Sequence, residues 1–109
     1  MFSPQSKVDF EFYDKVLTGP QRKISDGLKL VWAGVDKALN EKYGGNIANI
    51  KDKNLRQDCV SLKERTAGIL SKMMLSSNYE PDSATELASI RNSTLNLLEK
   101  MYSREESKQ

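Results

Sequence analysis

From Pro20 to Tyr43 the chain carries Ile24, Leu28, Val31, Val35, Ala38 and Leu39 at three- and four-residue steps. Only an α-helix brings positions with that spacing onto one face. Pro20 suits a first helical turn, where its missing N–H would be unpaired anyway. Gly44-Gly45 supplies a left-handed stop, and Lys42 complements the negative end of the helix dipole. The sequence therefore predicts a helix over 20–43 with one apolar face, and that face must be covered by other parts of the chain.

Glycine and proline clusters divide the rest. Thr18-Gly19-Pro20, Gly44-Gly45-Asn46 and the stretch from Ser76 to Asp82 break regular structure for steric reasons and leave four segments. The third, about 50–75, carries Leu55, Cys59, Leu62, Ile69, Leu70 and Met73 on one side, with Asn49 or Asp52 as its N-cap. The fourth, 83–102, opens with Ser83-Ala84-Thr85-Glu86, which fits a reciprocal capping box. Its stripe is Leu87, Ile90, Thr94, Leu97, Leu98 and Met101. The first segment, 7–17, is ambiguous. Val8, Phe12 and Val16 recur at helical spacing with Tyr13 and Leu17 beside them, whereas Val8, Phe10 and Phe12 alternate as in a strand. No second strand offers a partner, so a helix is expected. The polar tail 103–109 is expected to fray. Short connections make neighbouring helices antiparallel. The expected fold is all-α, an antiparallel four-helix bundle forming a single domain over 1–109.

Composition removes whole classes of function. The chain has 109 residues, room for one domain, and contains no histidine. It thereby lacks the commonest general base, the usual zinc ligand and any Ser-His or Cys-His pair. A single cysteine, Cys59, excludes an internal disulfide and a cysteine metal cluster. It sits within an apolar stripe, as a core thiol would. No phosphate-binding glycine loop is present, since Gly44-Gly45 follows a helix. Asp9, Glu11 and Asp14 are explained by a helix N-terminus. Asn92-Ser93-Thr94 matches a glycosylation sequon but falls inside an expected helix. Enzymatic activity, a cofactor, a metal and a small-molecule substrate are all unexpected. With 17 basic and 15 acidic residues interleaved, and only Arg22-Lys23 and Lys51, Lys53, Arg56 clustered, nucleic acid is not an expected partner either. No apolar run approaches the roughly 20 residues of a membrane span. The first residues lack the features of a secretory leader, which makes the cytoplasm the expected compartment.

What remains is binding to a protein. Trp32 stands at the edge of the second segment's stripe, where it either widens the core or forms an exposed anchor of the kind common at interface hot spots. Gly27 and Gly34, seven residues apart, mark a face that a neighbouring helix or a ligand could approach closely. The fourth segment shows Arg91, Leu95 and Tyr102 toward a second side, and the preceding loop offers Tyr79. An apolar arc wider than one core needs often meets another protein. Met73, Met74 and Met101 are core residues or, if exposed, adaptable contact surface. The candidate partner-binding residues are Trp32, Tyr79, Arg91, Leu95 and Tyr102.

A short first helix with Phe12-Tyr13-Asp14, a long second helix from Ile24 to Lys42, and a late helix with Glu86-Leu87-Ala88-Ser89-Ile90-Arg91 together resemble the immunity proteins of pediocin-like bacteriocins, the enterocin A immunity group. The resemblance is one of layout and covers roughly residues 10 to 102. It implies an antiparallel four-helix bundle without enzymatic activity. Such proteins act at the cytoplasmic side of a bacteriocin-bound sugar permease, with specificity carried by the C-terminal half, here from about Asn78. The second expectation, of a different class, is a small secretion chaperone or adaptor that binds an amphipathic segment of a secreted protein. The first suits a monomer and the second a homodimer.

Overall fold

The computed structural model describes residues 8–103. Four α-helices account for most of them: α1 (Phe10–Val16), α2 (Gly19–Tyr43), α3 (Lys53–Leu75) and α4 (Ala88–Ser103). A single 3-10 turn, Ile47–Asn49, lies between α2 and α3, and a π turn, Ser83–Leu87, leads into α4. No strand occurs among the described residues. None of the helices is long and apolar enough to cross a membrane. The expected tail 103–109 lies, apart from Ser103, outside the described residues.

Cross-links between helices fix their directions. Lys100 reaches Asp58 while Arg65 reaches Ser93 and Ser89, so α4 runs antiparallel to α3. Gly34 faces Leu98, and Glu41 accepts a hydrogen bond from Tyr102, so α4 runs parallel to α2. α4 packs along both longer helices. α1 packs on the α2–α3 pair through Tyr13–Ser71 and Asp14–Lys29. The 3-10 turn packs on the same pair, burying Ile47 and Ile50. The fourth layer of the bundle is thus shared between a two-turn helix and a short apolar loop.

The third segment folds as its stripe dictates, and the fourth does so except at Leu87 and Leu98, which are half-buried against the core. Leu55, Cys59, Leu62, Ile69, Leu70 and Met73 are all buried, as are Ile90, Thr94, Leu97 and Met101. Two buried threonines satisfy their hydroxyls locally, Thr66 on Leu62 O at 2.9 Å and Thr94 on Ile90 O at 2.8 Å. The end of α2 is also as expected. Gly44 takes φ 65°, and the Gly45 N–H returns to Leu39 O at 2.8 Å.

Four local expectations are corrected. In α1 the apolar face does not include Phe12 and Val16, which are 45% exposed: Phe10 and Leu17 are buried with Tyr13 packed beside them, and Val8, just ahead of the helix, is buried as expected. A helix of two turns has one narrow contact line, and positions 10, 13 and 17 hold it. In α2 the buried arc is turned toward α1 and α3. Gln21, Ser25 and Trp32 join Leu28, Val35, Ala38 and Leu39 inside, whereas Ile24 and Val31 are only half-buried. Trp32 is 2% exposed and is a core residue, not an exposed anchor. Finally, Ser83 does not open a capping box. Asp82 caps the turn on the Ala84 N–H at 3.0 Å, and Glu86 turns instead to the Tyr79 hydroxyl at 2.7 Å. Of the two candidate caps for α3, Asp52 serves, accepting from the Leu55 N–H at 3.1 Å.

Candidate functional site

The burial of Ile90, Thr94, Leu97 and Met101 against α2 and α3 determines which side of α4 is left outward. Residues one helical position further round, Arg91, Leu95, Leu98 and Tyr102, follow one another at four, three and four residues and form a second line along α4. Leu98 is half-buried because Gly34 lets it approach: a Cβ at Gly34 would stand 3.2 Å from Leu98 Cδ1. Leu95, one turn earlier, has no such seat and is 60% exposed.

Register along the parallel α2–α4 pair places Leu95 level with Leu30 and Val31, since Gly34 meets Leu98 and Ile24 shares a hollow with Leu87 and Arg91. Leu30 is 77% exposed. The hollow holds about 260 Å³ and is floored by Ile24, Gly27, Leu28 and Val31, with Arg91 and Lys23 at its rim. A Cβ at Gly27 would meet nothing within 4 Å, so the α2 backbone itself is open there. The hollow lies over the α2–α4 seam with two cations on it, and the exposed Leu30 and Leu95 stand at the next level along the same two helices, forming with it an apolar strip on the outward side of the pair. At the other end Tyr102 donates to Glu41 Oε1 at 3.2 Å, and its ring lies 4.9 Å from Lys42 Nζ.

The five sequence candidates therefore separate. Arg91, Leu95 and Tyr102 are brought together on the outward side of α4. Trp32 lies in the core. Tyr79 belongs to the α3–α4 connection, where its work is structural: its hydroxyl donates to Glu86, its ring sits 5.7 Å from Lys72 Nζ, and its carbonyl accepts from Gln21 Nε2 at 2.8 Å. The hydrogen bond to Glu86 also raises the Tyr79 phenol pKa, as an anionic acceptor must.

Leu30 was missed because it lies off the α2 stripe, yet that displacement was itself the signal. A second exposed apolar group was missed at the α1 end of the molecule. Phe12 and Val16 on α1, and Met74 and the 80%-exposed Leu75 at the end of α3, all lie outward there.

Cys59, Asp9 and Asp14 each serve the fold. Cys59 is fully buried, and burial, with Asp36 and Asp58 adding to it, pushes its thiol up to about 12. A thiol so held is neither nucleophile nor ligand at neutral pH. Asp9 caps α1 on the Phe12 N–H, and Asp14 pairs with Lys29 at 3.1 Å and Arg22 at 3.5 Å. Among the described residues no three histidine, cysteine, aspartate or glutamate side chains gather as metal ligands would. A cleft of about 460 Å³ between α3 and α4 has Arg65 and Lys72 on one wall. Both cations are already engaged, Arg65 with Ser89 at 2.6 Å and Lys72 over Tyr79. In the basic cluster, Arg56 spends a donor on Ile50 O at 2.7 Å. No family model, curated protein or solved structure matches this chain.

Proposed function

We propose that this chain is a non-enzymatic binding protein that docks a protein partner on the apolar strip over the α2–α4 seam. The observation carrying this reading is the pairing of Leu30 and Leu95, 77% and 60% exposed, beside an open hollow on which Arg91 stands. Large aliphatic side chains left in water at the same level of two packed helices cost solubility and do nothing for the core. They are well suited to a partner helix or loop that brings its own apolar residue to the Gly27 hollow. The most concrete form of the reading is the one implied by the resemblance: a bacteriocin immunity-type protein acting in the cytoplasm on a bacteriocin-bound sugar permease. The location of Arg91, Leu95 and Tyr102 in the C-terminal half fits the specificity role expected there.

The test is protection. A strain sensitive to a pediocin-like bacteriocin, expressing this chain, is expected to survive the peptide, and Leu95→Asp is expected to lose that survival at equal protein level. Absence of protection across a panel of such peptides overturns the immunity form of the reading. A specific observation favours the adaptor alternative: Phe12 and Val16 on α1, and Met74 and Leu75 at the end of α3, are exposed apolar residues on elements other than those of the seam. An adaptor that joins an amphipathic segment to a further protein needs two faces.

A further inference from the structure

Leu95 stands midway between two unpaired opposite charges. Arg91 lies four residues before it and Glu99 four residues after it, on the same side of α4, and both are exposed. Among the described residues neither makes a hydrogen bond or an ion pair. They cannot satisfy each other, because eight residues of helix separate them by about 12 Å. Ala88 and Tyr102 are likewise placed at equal distances before and after Leu95, one small and the other large and 44% exposed.

Such a pattern is complementary to itself when reversed. On two antiparallel copies of α4 related by a two-fold axis at Leu95, Leu95 meets Leu95. Arg91 of each copy stands opposite Glu99 of the other, and each Tyr102 stands over the space beside an Ala88. An isologous interface requires this arrangement, in which one patch supplies both halves of every contact. The neighbouring helix helps to set the axis. Lys23 and Lys37 lie seven residues either side of Leu30, so a two-fold centred on α2 would oppose like charges. Centred on α4, the axis buries Leu95 and leaves Leu30 and the Gly27 hollow as the flank of the contact.

We propose that a second copy of this chain occupies the outward side of α4, forming an antiparallel two-fold dimer through Leu95 with reciprocal Arg91–Glu99 pairs. The inference rests on reading this strip as the binding surface, and a self-associating chain suits the adaptor form of that reading better than the immunity form. It adds that the free protein covers the strip with itself, so that an outside partner must displace the second copy.

Sedimentation equilibrium of the purified full chain, from micromolar to millimolar at low salt, tests it without any outside partner. The wild type is expected to sediment as a reversible dimer. Leu95→Asp, Arg91→Glu and Glu99→Arg are each expected to raise the dimer dissociation constant by about tenfold or more, because every change is felt twice across a two-fold axis. The double variant Arg91→Glu/Glu99→Arg restores both pairs with reversed sign and is expected to return to within about threefold of the wild type. All four variants should keep the wild-type helix content and urea midpoint, since these residues make no pairs within the chain. A wild type that stays monomeric throughout overturns the proposal, as do single reversals without effect or a double variant no better than the singles. Protection by a chain that proves monomeric would leave the function standing and remove only the dimer.

Discussion

At the level of single residues, several polar and sulfur groups serve to hold the chain together. Cys59 is the clearest case. Burial moves its thiol from 9.0 up to about 12, so the folded state favours the protonated form. That contribution is complete below the unfolded value near pH 9.0 and is lost as pH rises toward 12. The stability difference between the wild type and Cys59→Ala, from urea unfolding, should therefore narrow by about 1 kcal/mol per pH unit through this window. A difference that stays flat would place the thiol in water. The glycines make a second test. Gly27 is helical with open space around its missing side chain, so Gly27→Ala should stabilise by about 0.5–1 kcal/mol. Gly45 has φ 79°, and a Cβ there would lie 2.7 Å from Asn40 Oδ1, so Gly45→Ala should destabilise by about 1–2 kcal/mol. Equal effects at the two sites would contradict the turn geometry at the end of α2.

The elements show what the side-chain pattern could and could not specify. α3 and α4 are amphipathic over many turns, and every residue placed on the α3 stripe is buried. Length is what made them legible, because six or more apolar positions over-determine one face. α1 has seven residues, too few for that, and its helical state could be inferred while its inward face could not. The second helix was legible as a helix, but its buried arc is turned toward α1 and α3, with Trp32 inside. No periodicity within α2 encodes which elements pack against it. The α3–α4 connection failed for a similar reason. Ser83-Ala84-Thr85-Glu86 has the local form of a capping box, but Tyr79 offers Glu86 a hydroxyl and Asp82 takes the cap. Gln21, buried on α2, then ties that connection down by donating to Ser76 O at 2.9 Å and Tyr79 O at 2.8 Å. Gln21→Leu leaves Tyr79 O without its donor and Ser76 O with the Tyr79 N–H alone, and should cost about 1–3 kcal/mol, whereas Asp82→Ala should cost about 1 kcal/mol through the cap alone. If thermal unfolding showed Gln21→Leu to be harmless, the connection would be held by something other than this clamp.

For the whole molecule, a small core completed by a short helix and a loop leaves apolar side chains exposed on α1 and α3 and at the α2–α4 seam, and those at the seam lie near an open hollow and the unpaired Arg91 and Glu99. Of the candidate site, Arg91, Leu95 and Tyr102 were legible because they fall on one side of α4 beside its core stripe. Leu30 and the Gly27 hollow were not, because they become neighbours of Leu95 only through the parallel packing of α2 and α4. The central claim is that this composite strip is where the molecule meets its partner. Photo-crosslinking in intact cells tests it most directly, with a benzophenone amino acid placed at position 95 or, as a control on the far side of the bundle, at exposed position 64. The strip is expected to yield a discrete adduct at position 95, whether with a second copy or with another protein, and none at position 64. Adducts at 64 and none at 95 would place the working surface elsewhere.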